Sequence, residues 1–334
     1  MLSRKGISGL FIGSFTLAAL LALSPLSGAQ AQTARISIAT GGTGGVFYVV
    51  GGGMAAVISK YLPGVEATAE VTAASVDNCK LIMAKKADLG FSLADTSYDA
   101  YAGLERFKAT GKVPLRALAV LYPAVSQIIS IEGAGINKAK DLKGKRVSTG
   151  APGSGAEVTA IKILEALEID PIKDIRRERL SVAESASAVK DRKIDAFFWG
   201  GGLPTAAVLD LASTPGVKIK VVAHDDLLEK INKKYGPTYY RLVIPKEIYP
   251  GMTQPVPVIA TANILVCHES LDEKIAYGIV KTIIEHRQDL VAVHKEADKI
   301  TLENAVIGSS IPYHPGAIKY YAEKKVWPSS PGQK

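Results

Sequence analysis

Thr40-Gly-Gly-Thr-Gly-Gly45 and Gly150-Ala-Pro-Gly-Ser-Gly155 decide the fold of this chain, because each follows a strand-like run and opens an apolar-periodic helix. The first loop lies between Arg35-Ile-Ser-Ile-Ala39 and a helix expected from about Phe47 to Leu62. The second lies between Lys145-Arg-Val-Ser-Thr149 and a helix expected from about Ala156 to Leu167. Each copy ends in a Lys-x-Asp step into a short apolar strand, Lys86-Ala-Asp88-Leu-Gly-Phe91 and Lys193-Ile-Asp195-Ala-Phe-Phe198. The loops are offset by 110 residues (40 to 150) and the steps by 107 (88 to 195). So near-constant an offset predicts two lobes of similar α/β build whose helix-opening loops face each other across a cleft. Such a cleft closes on a small ligand and needs no catalytic residues.

The rest of the chain fits around those copies. Ala117–Tyr122 and Gln127–Ile131 read as two strands separated by Pro123 and as the first crossing between lobes. The segment 235–257, rich in Pro, Gly and Tyr, reads as an extended connection with the return crossing near its end. Ser270-Leu-Asp-Glu273 reads as a capping box that starts one long helix to about Val293. Pro315 suits the first position of a last helix, where its fixed φ and missing N–H cost nothing. Alternating short strands and helices give an α/β class with mostly parallel sheets. The expected organisation is a leader over 1–31, a first lobe over 32–122 plus 258–334, and a second lobe over 123–257.

Arg4 and Lys5, the apolar run Leu10–Leu23 and the small-x-small step Ala29-Gln-Ala31 have the order of a cleaved export signal. The run is too short for a stable membrane span, so a periplasmic location is expected. Without Arg4 and Lys5 the formal charge falls from +8 to +6, spread along the chain. No Lys/Arg stripe is present, which argues against nucleic-acid binding. After the leader no segment approaches the about twenty apolar residues of a span, so no direct membrane insertion is expected. Cys79 and Cys267, the only cysteines, read as two buried free thiols rather than a disulfide.

Thr43-Gly44-Gly45 before a helix offers backbone N–H groups and a hydroxyl at the positive end of a helix dipole, a seat for a carboxylate. Pro152-Gly-Ser-Gly155 offers the same from the second lobe. One such loop reads equally as an ordinary strand–helix turn in which glycine supplies positive φ; two at matched positions point to binding. Neither ends in the Gly-Lys-Ser/Thr of a Walker loop. Gly51-Gly-Gly53-Met-Ala-Ala56 matches G-x-G-x-x-A loosely, but lies a turn inside its helix and reads as close helix packing. His224, His268, His286, His294 and His314 are scattered without metal spacing, and Ser154 lacks a G-x-S-x-G elbow. No metal, cofactor or enzyme activity is therefore expected. Asp95 at a strand tip is either a ligand carboxylate or a cap. Trp199, directly before Gly200-Gly-Gly202, is either a pocket wall or core.

Several motifs in order carry a family resemblance over essentially the whole mature chain. Thr40-Gly-Gly-Thr-Gly-Gly-Val-Phe-Tyr48, Ala87-Asp-Leu-Gly-Phe91, Gly150-x-Pro-Gly-Ser-Gly155, Asp195-Ala-Phe-Phe198, Ile300-Thr-Leu-Glu-Asn304 and Ile311-Pro-x-His-Pro-Gly316 resemble the TAXI solute receptors. These are the extracytoplasmic binding subunits of a class of TRAP transporters. The resemblance implies a periplasmic-binding-protein fold of type II, with two α/β lobes joined by a hinge and the ligand cleft between them. It implies a monomeric receptor for a small anionic solute, a glutamate-like, dicarboxylate or related organic acid. The solute would pass to TRAP membrane subunits that use an ion gradient. Carried over by position, the ligand shell would comprise Gly42, Thr43, Gly44 and Tyr48, then Ser92, Leu93 and Asp95 at the second strand tip. Ser154, Gly155, Ala156 and Trp199 would complete it from the second lobe. An ABC-type solute-binding protein, or a ligand-binding sensor subunit of similar fold, is the alternative reading.

Two positions depart from the pattern: Leu93 stands where family members often carry glutamine, and Ala156 where they often carry threonine. Each removes a hydrogen-bonding group, and an unmatched polar group in a closed cleft costs about 1–3 kcal/mol. The ligand here is thus expected to be less polar at one end than glutamate.

Overall fold

Two long strands carry the chain between the halves of the molecule, and the repeated elements hang on either side of them. The computed structural model describes residues 33–327; the expected leader, 1–31, lies outside them. The first half opens with β1 (Ala34–Ala39), α1 (Val46–Tyr61), β2 (Val65–Glu70), α2 (Ser75–Met83), β3 (Leu89–Leu93) and α3 (Ala94–Ala102). The long strand β4 (Leu115–Ile131) crosses over. The second half repeats the order as β5 (Arg146–Ser148), α4 (Gly155–Ala166), β6 (Arg176–Glu178), α5 (Val182–Lys190) and β7 (Ala196–Gly201). It continues through α6 (Ala206–Ser213), β8 (Ile219–Val221), α7 (Leu228–Tyr235) and β9 (Tyr240–Ile244). The return strand is β10 (Val256–His268), and α8 (Glu273–Glu285), α9 (Arg287–Val293), α10 (Leu302–Ala305) and α11 (Pro315–Glu323) close the chain.

The sheet path runs β2-β1-β3-β10-β4-β7-β5-β6 and mirrors itself about the central β10–β4 pair. β1 lies parallel between β2 and β3, and β5 parallel between β6 and β7. The Lys-x-Asp steps explain this register. Asp88 Oδ2 accepts from Ser37 N at 2.8 Å, tying the start of β3 to β1. Asp195 Oδ2 accepts from Arg146 N at 2.8 Å, tying β7 to β5 in the same way. The loops start alike too: Thr40 N donates to Glu70 O and Thr149 N to Glu178 O, each at 3.0 Å. Parallel pairing delivers both glycine loops at the carboxyl ends of their strands.

Four expectations are corrected here. The sheet is not mostly parallel, because β4 and β10 pair antiparallel with each other and with β3, β7, β8 and β9, and only the pairs β1–β2, β1–β3, β5–β6 and β5–β7 are parallel. Pro123 does not break β4, which runs unbroken from Leu115 to Ile131. Pro123 pairs with Ala262 beside a register shift between Ala262 and Ile264, so its missing N–H falls at an irregularity in the ladder. The segment 235–257 is not merely extended, because β9 within it pairs antiparallel with β10. The helix after β10 ends at Glu285 and a separate helix starts at Arg287. Its cap is Asp272 rather than Ser270, with Oδ1 accepting from Lys274 N and Ile275 N at 2.9 and 3.0 Å.

The buried apolar side chains form three clusters. The largest draws on residues 36–122 and 262–321, with Val158 reaching in from α4. The other two lie on opposite sides of the second half, drawing on residues 125–259 and including Ile128 and Ile259 in one, Ile129 and Val258 in the other. Alternate residues of β4 and β10 thus feed different cores, the period-2 signature of a strand covered on both faces. Cys79 and Cys267 are buried free thiols. No helix among the described residues is long and apolar enough to cross a membrane.

Candidate functional site

Four helix N-termini converge on one cavity of about 70 Å³ between the halves. Val46 and Phe47 open α1, Ser75 opens α2, Gly155 and Ala156 open α4, and Val182 opens α5; all line the cavity. This follows from the topology: β3 and β7 run in opposite directions along the β4–β10 pair, so the carboxyl ends of the two halves point at each other beside its middle, Leu93 opposite Asn263 and Gly201 opposite Val125.

Each N-terminus is built differently. α1 starts at Gly45 with no side-chain cap and no acidic residue in its first turn, so its leading N–H groups keep their positive potential for a ligand. α2 follows Ala74, held at φ 84°, a left-handed conformation that costs a non-glycine residue about 1–3 kcal/mol. Ser75 is 1% exposed, and its Oγ accepts from Leu93 N at 3.2 Å. Ser154 caps α4, its Oγ accepting from Glu157 N at 3.1 Å. Among the described residues neither hydroxyl has an acceptor for its own proton.

The walls are apolar: Phe47, Leu93, Val182 and Trp199 surround the helix ends. Among the described residues, none that lines the cavity is Asp, Glu, Lys, Arg or His. Trp199 is fixed by its Nε1 donating to Thr205 Oγ1 at 2.7 Å, and its ring closes on Gly45 across the cleft. Charges near the site are committed elsewhere. Glu157, at the third position of α4, is held by Arg177 and Arg179 at 2.6 Å each and by Arg106 of the first half at 3.5 Å. Among the described residues no group of three or more His, Cys, Asp and Glu is placed to hold a metal.

Of the residues expected in a ligand shell, Gly42, Leu93, Ser154, Gly155, Ala156 and Trp199 line this cavity. Thr43 and Gly44 line a separate groove instead, where Gly44 packs against Ala183 of α5 and Ala207 of α6. Tyr48 is 37% exposed on the outer side of α1 and is absent from the cavity wall. Ser92 is fully buried beside Cys79, with its Oγ donating to Leu93 O. Asp95 faces α4 rather than the cavity: its Oδ2 accepts from Tyr239 Oη at 2.5 Å and lies 3.4 Å from Lys162 Nζ.

Sequence reasoning passed over Ser75 and Asn78. Asn78 Nδ2 lies within 3.2 Å of the carbonyls of Ala39, Thr40 and Phe91, which fixes the first loop against β1 and β3. Ser75 opens α2 soon after β2 ends at Glu70, and that place past a third strand end was the available signal. Asn78 had none, since a polar residue inside a helix ordinarily faces water.

A family model described as the NMT1-like family matches residues 38–324. Among solved structures, a protein of Bordetella bronchiseptica RB50 is similar at 17% identity, over 87% of this chain and 89% of that one, with a TM-score of 0.52. The ligand binding component of an ABC-type import system from Staphylococcus aureus is similar at 14% identity, over 89% and 94%, with a TM-score of 0.50. The periplasmic aliphatic sulphonate binding protein SsuA from Escherichia coli aligns at 15% identity over 87% and 83%, with a TM-score of 0.46. The first two likenesses establish the fold: mixed α/β with a curled sheet, of the type II periplasmic-binding-protein kind.

Proposed function

The chain belongs to the NMT1-like family, and from that premise we propose that it is a periplasmic receptor that captures a small carboxylate by cleft closure. One observation carries the reading. Four helix N-termini and two buried hydroxyls with free protons meet in one cavity between the halves. Such a cavity supplies donors and positive potential with no group poised for chemistry. We place the hinge where β4 and β10 pair at Pro123 and Ala262, with the lobes close to 32–122 plus 258–334 and 123–257. The side chains of Val258 and Ile259 pack in the second-half cores, which moves the return boundary toward Ala260. A ligand that bridges both halves binds the closed form better than the open one and shifts the population by that difference.

Delivery to the membrane subunits of an ion-gradient-driven TRAP transporter is the partner reading that the motif resemblance favours. Delivery to an ABC importer is the second reading, favoured by the likeness to the Staphylococcus import component. Calorimetric titration of residues 32–334 with small mono- and dicarboxylates, amino acids and sulfonates tests capture. Saturable binding of a carboxylate that is lost on Ser154→Ala supports it. Absence of binding by every class overturns it. Uptake into vesicles with the neighbouring permease, driven by an ion gradient or by ATP, separates the two partners.

A further inference from the structure

We infer that the ligand, on the receptor reading above, is a monocarboxylate with an apolar body and no ammonium group. Free donors in the cavity are the uncapped start of α1 and the hydroxyls of Ser75 and Ser154, 1% and 5% exposed, each accepting one bond and donating none, whereas Thr72 Oγ1 donates to Asn78 Oδ1. Two buried hydroxyl protons without acceptors are a deficit that a carboxylate's oxygens fill. An ammonium would need a carboxylate, and no acidic side chain lines the wall. The carboxylates nearby are already engaged, Glu157 with three guanidinium groups and Asp95 and Asp99 with the one ammonium of Lys162. A second carboxylate would need a second helix end free of acid, and α2, α4 and α5 already carry Asp77, Glu157 and Glu184 in their first turns, whereas α1 carries none. What remains of the wall is hydrocarbon and indole, from Phe47, Leu93, Val182 and Trp199.

Ser75 and Leu93 then set specificity from a single place. A Cβ on Gly155 would lie 2.5 Å from Ser75 Oγ and 2.8 Å from two Leu93 side-chain carbons, so hydroxyl and isobutyl group sit side by side at the mouth of α4. Ser75 holds the carboxylate, and Leu93 denies a second polar group its partner.

Ligand pairs that share a carbon skeleton test this. 4-Methylpentanoate and leucine differ by the ammonium; pentanoate and glutarate differ by the second carboxylate. Calorimetry on residues 32–334 is expected to give each monocarboxylate at least about tenfold tighter binding than its pair, because the added charge is buried unpaired. Ser75→Ala should weaken 4-methylpentanoate about tenfold, and Leu93→Gln should narrow the gap between pentanoate and glutarate. Leucine or glutarate binding as tightly as its pair overturns this inference and leaves the receptor reading standing. Binding of some other solute class with none of the four overturns this inference and the carboxylate reading together, and leaves solute capture standing. No binding by any solute overturns both. Should Ser75→Ala fail to fold, because its hydroxyl also holds Leu93 N, the two pairs on the unaltered chain still decide.

Discussion

Lys162 Nζ on α4 lies 3.0 Å from Asp99 Oδ2 on α3, in an ion pair that joins the two halves with both side chains under 10% exposed. Asp95, one turn earlier on α3, lies 3.4 Å from the same ammonium and also receives Tyr239 Oη and Thr159 Oγ1 from the second half. Two carboxylates of one half therefore share one ammonium of the other. Burial pushes the Asp99 carboxyl above its usual range, only partly offset by Lys162. Burial also pulls on the Lys162 ammonium, but the two acids more than compensate and leave it above the ordinary lysine value. Asp95 is thus a contact between halves, and its charge is unavailable to a solute.

Lys162→Met should open the cleft more than it unfolds the protein. Removing one partner of a buried pair costs about 3–5 kcal/mol when the remaining charge stays buried. Here the halves can part and let water reach Asp95 and Asp99, so the loss appears mainly in closure. The expected result is a larger radius of gyration by small-angle scattering and ligand affinity at least about tenfold weaker. Adding Asp95→Asn and Asp99→Asn should restore compactness. An unchanged radius and affinity in Lys162→Met would refute the clasp.

How much of this was legible beforehand depends on the range of the interaction. The loops, the Lys-x-Asp steps and the helix starts are local, and the structure repeats them atom for atom: Asp88 on Ser37 N, Asp195 on Arg146 N. A glycine loop before an amphipathic helix reads the same in any context. Pro123 misled because its rule concerns an ideal ladder, and the β4–β10 pair has an irregularity beside it. Lys162 and Asp95 are 67 residues apart and on different helices, so nothing in either neighbourhood reveals the pair. Strand-tip position left Asp95 open as ligand or cap, and the family resemblance put it in a ligand shell; the packing of α3 on α4 and Tyr239 sets its carboxylate against Lys162 instead.

Acid should destabilise the fold through its histidines. Burial drives His224, His294 and His314 below the ordinary value of 6.5. His224 is fully buried with Nδ1 on Val222 O at 2.9 Å, and its Nε2 has no partner among the described residues. A base whose folded pKa is depressed binds fewer protons folded than unfolded as pH falls through 6.5, so stability is complete above that value and lost below it. Thermal midpoints should therefore fall between about pH 7 and pH 5. His224→Asn, which keeps a donor toward Val222 O, should flatten the slope. A midpoint constant across the window contradicts this account.

Only one of the two tryptophans should report ligand. Trp199 lines the cavity, whereas Trp327 stacks with Tyr321 and meets Tyr313 edge-on against the first-half core. Filling the cavity changes the polarity around Trp199 alone. Ligand should shift the emission of the native chain, and Trp199→Phe should abolish the shift while weakening affinity less than about tenfold, since an aromatic wall remains. A shift that survives Trp199→Phe would place the ligand elsewhere.

Two glycines with the same steric fault should fail in different ways. A Cβ on Gly51 would lie 2.4 Å from Thr40 Cγ2, and one on Gly155 would lie 2.5 Å from Ser75 Oγ and 2.8 Å from Leu93. Neither has positive φ, and alanine is the better helix former, so the backbone raises no objection to either substitution. The Gly51 clash is internal to the first half, where α1 packs on the end of β1, and no rigid movement relieves it. Gly51→Ala should therefore lower unfolding free energy by about 1–3 kcal/mol. The Gly155 clash lies between halves, so opening at the hinge proposed above would remove it. Gly155→Ala should leave unfolding free energy within about 0.5 kcal/mol of the parent and weaken ligand binding at least about tenfold. If Gly155→Ala instead binds as the parent does, α4 does not close onto Ser75 and Leu93 during capture, and the cavity between them is not where the solute sits.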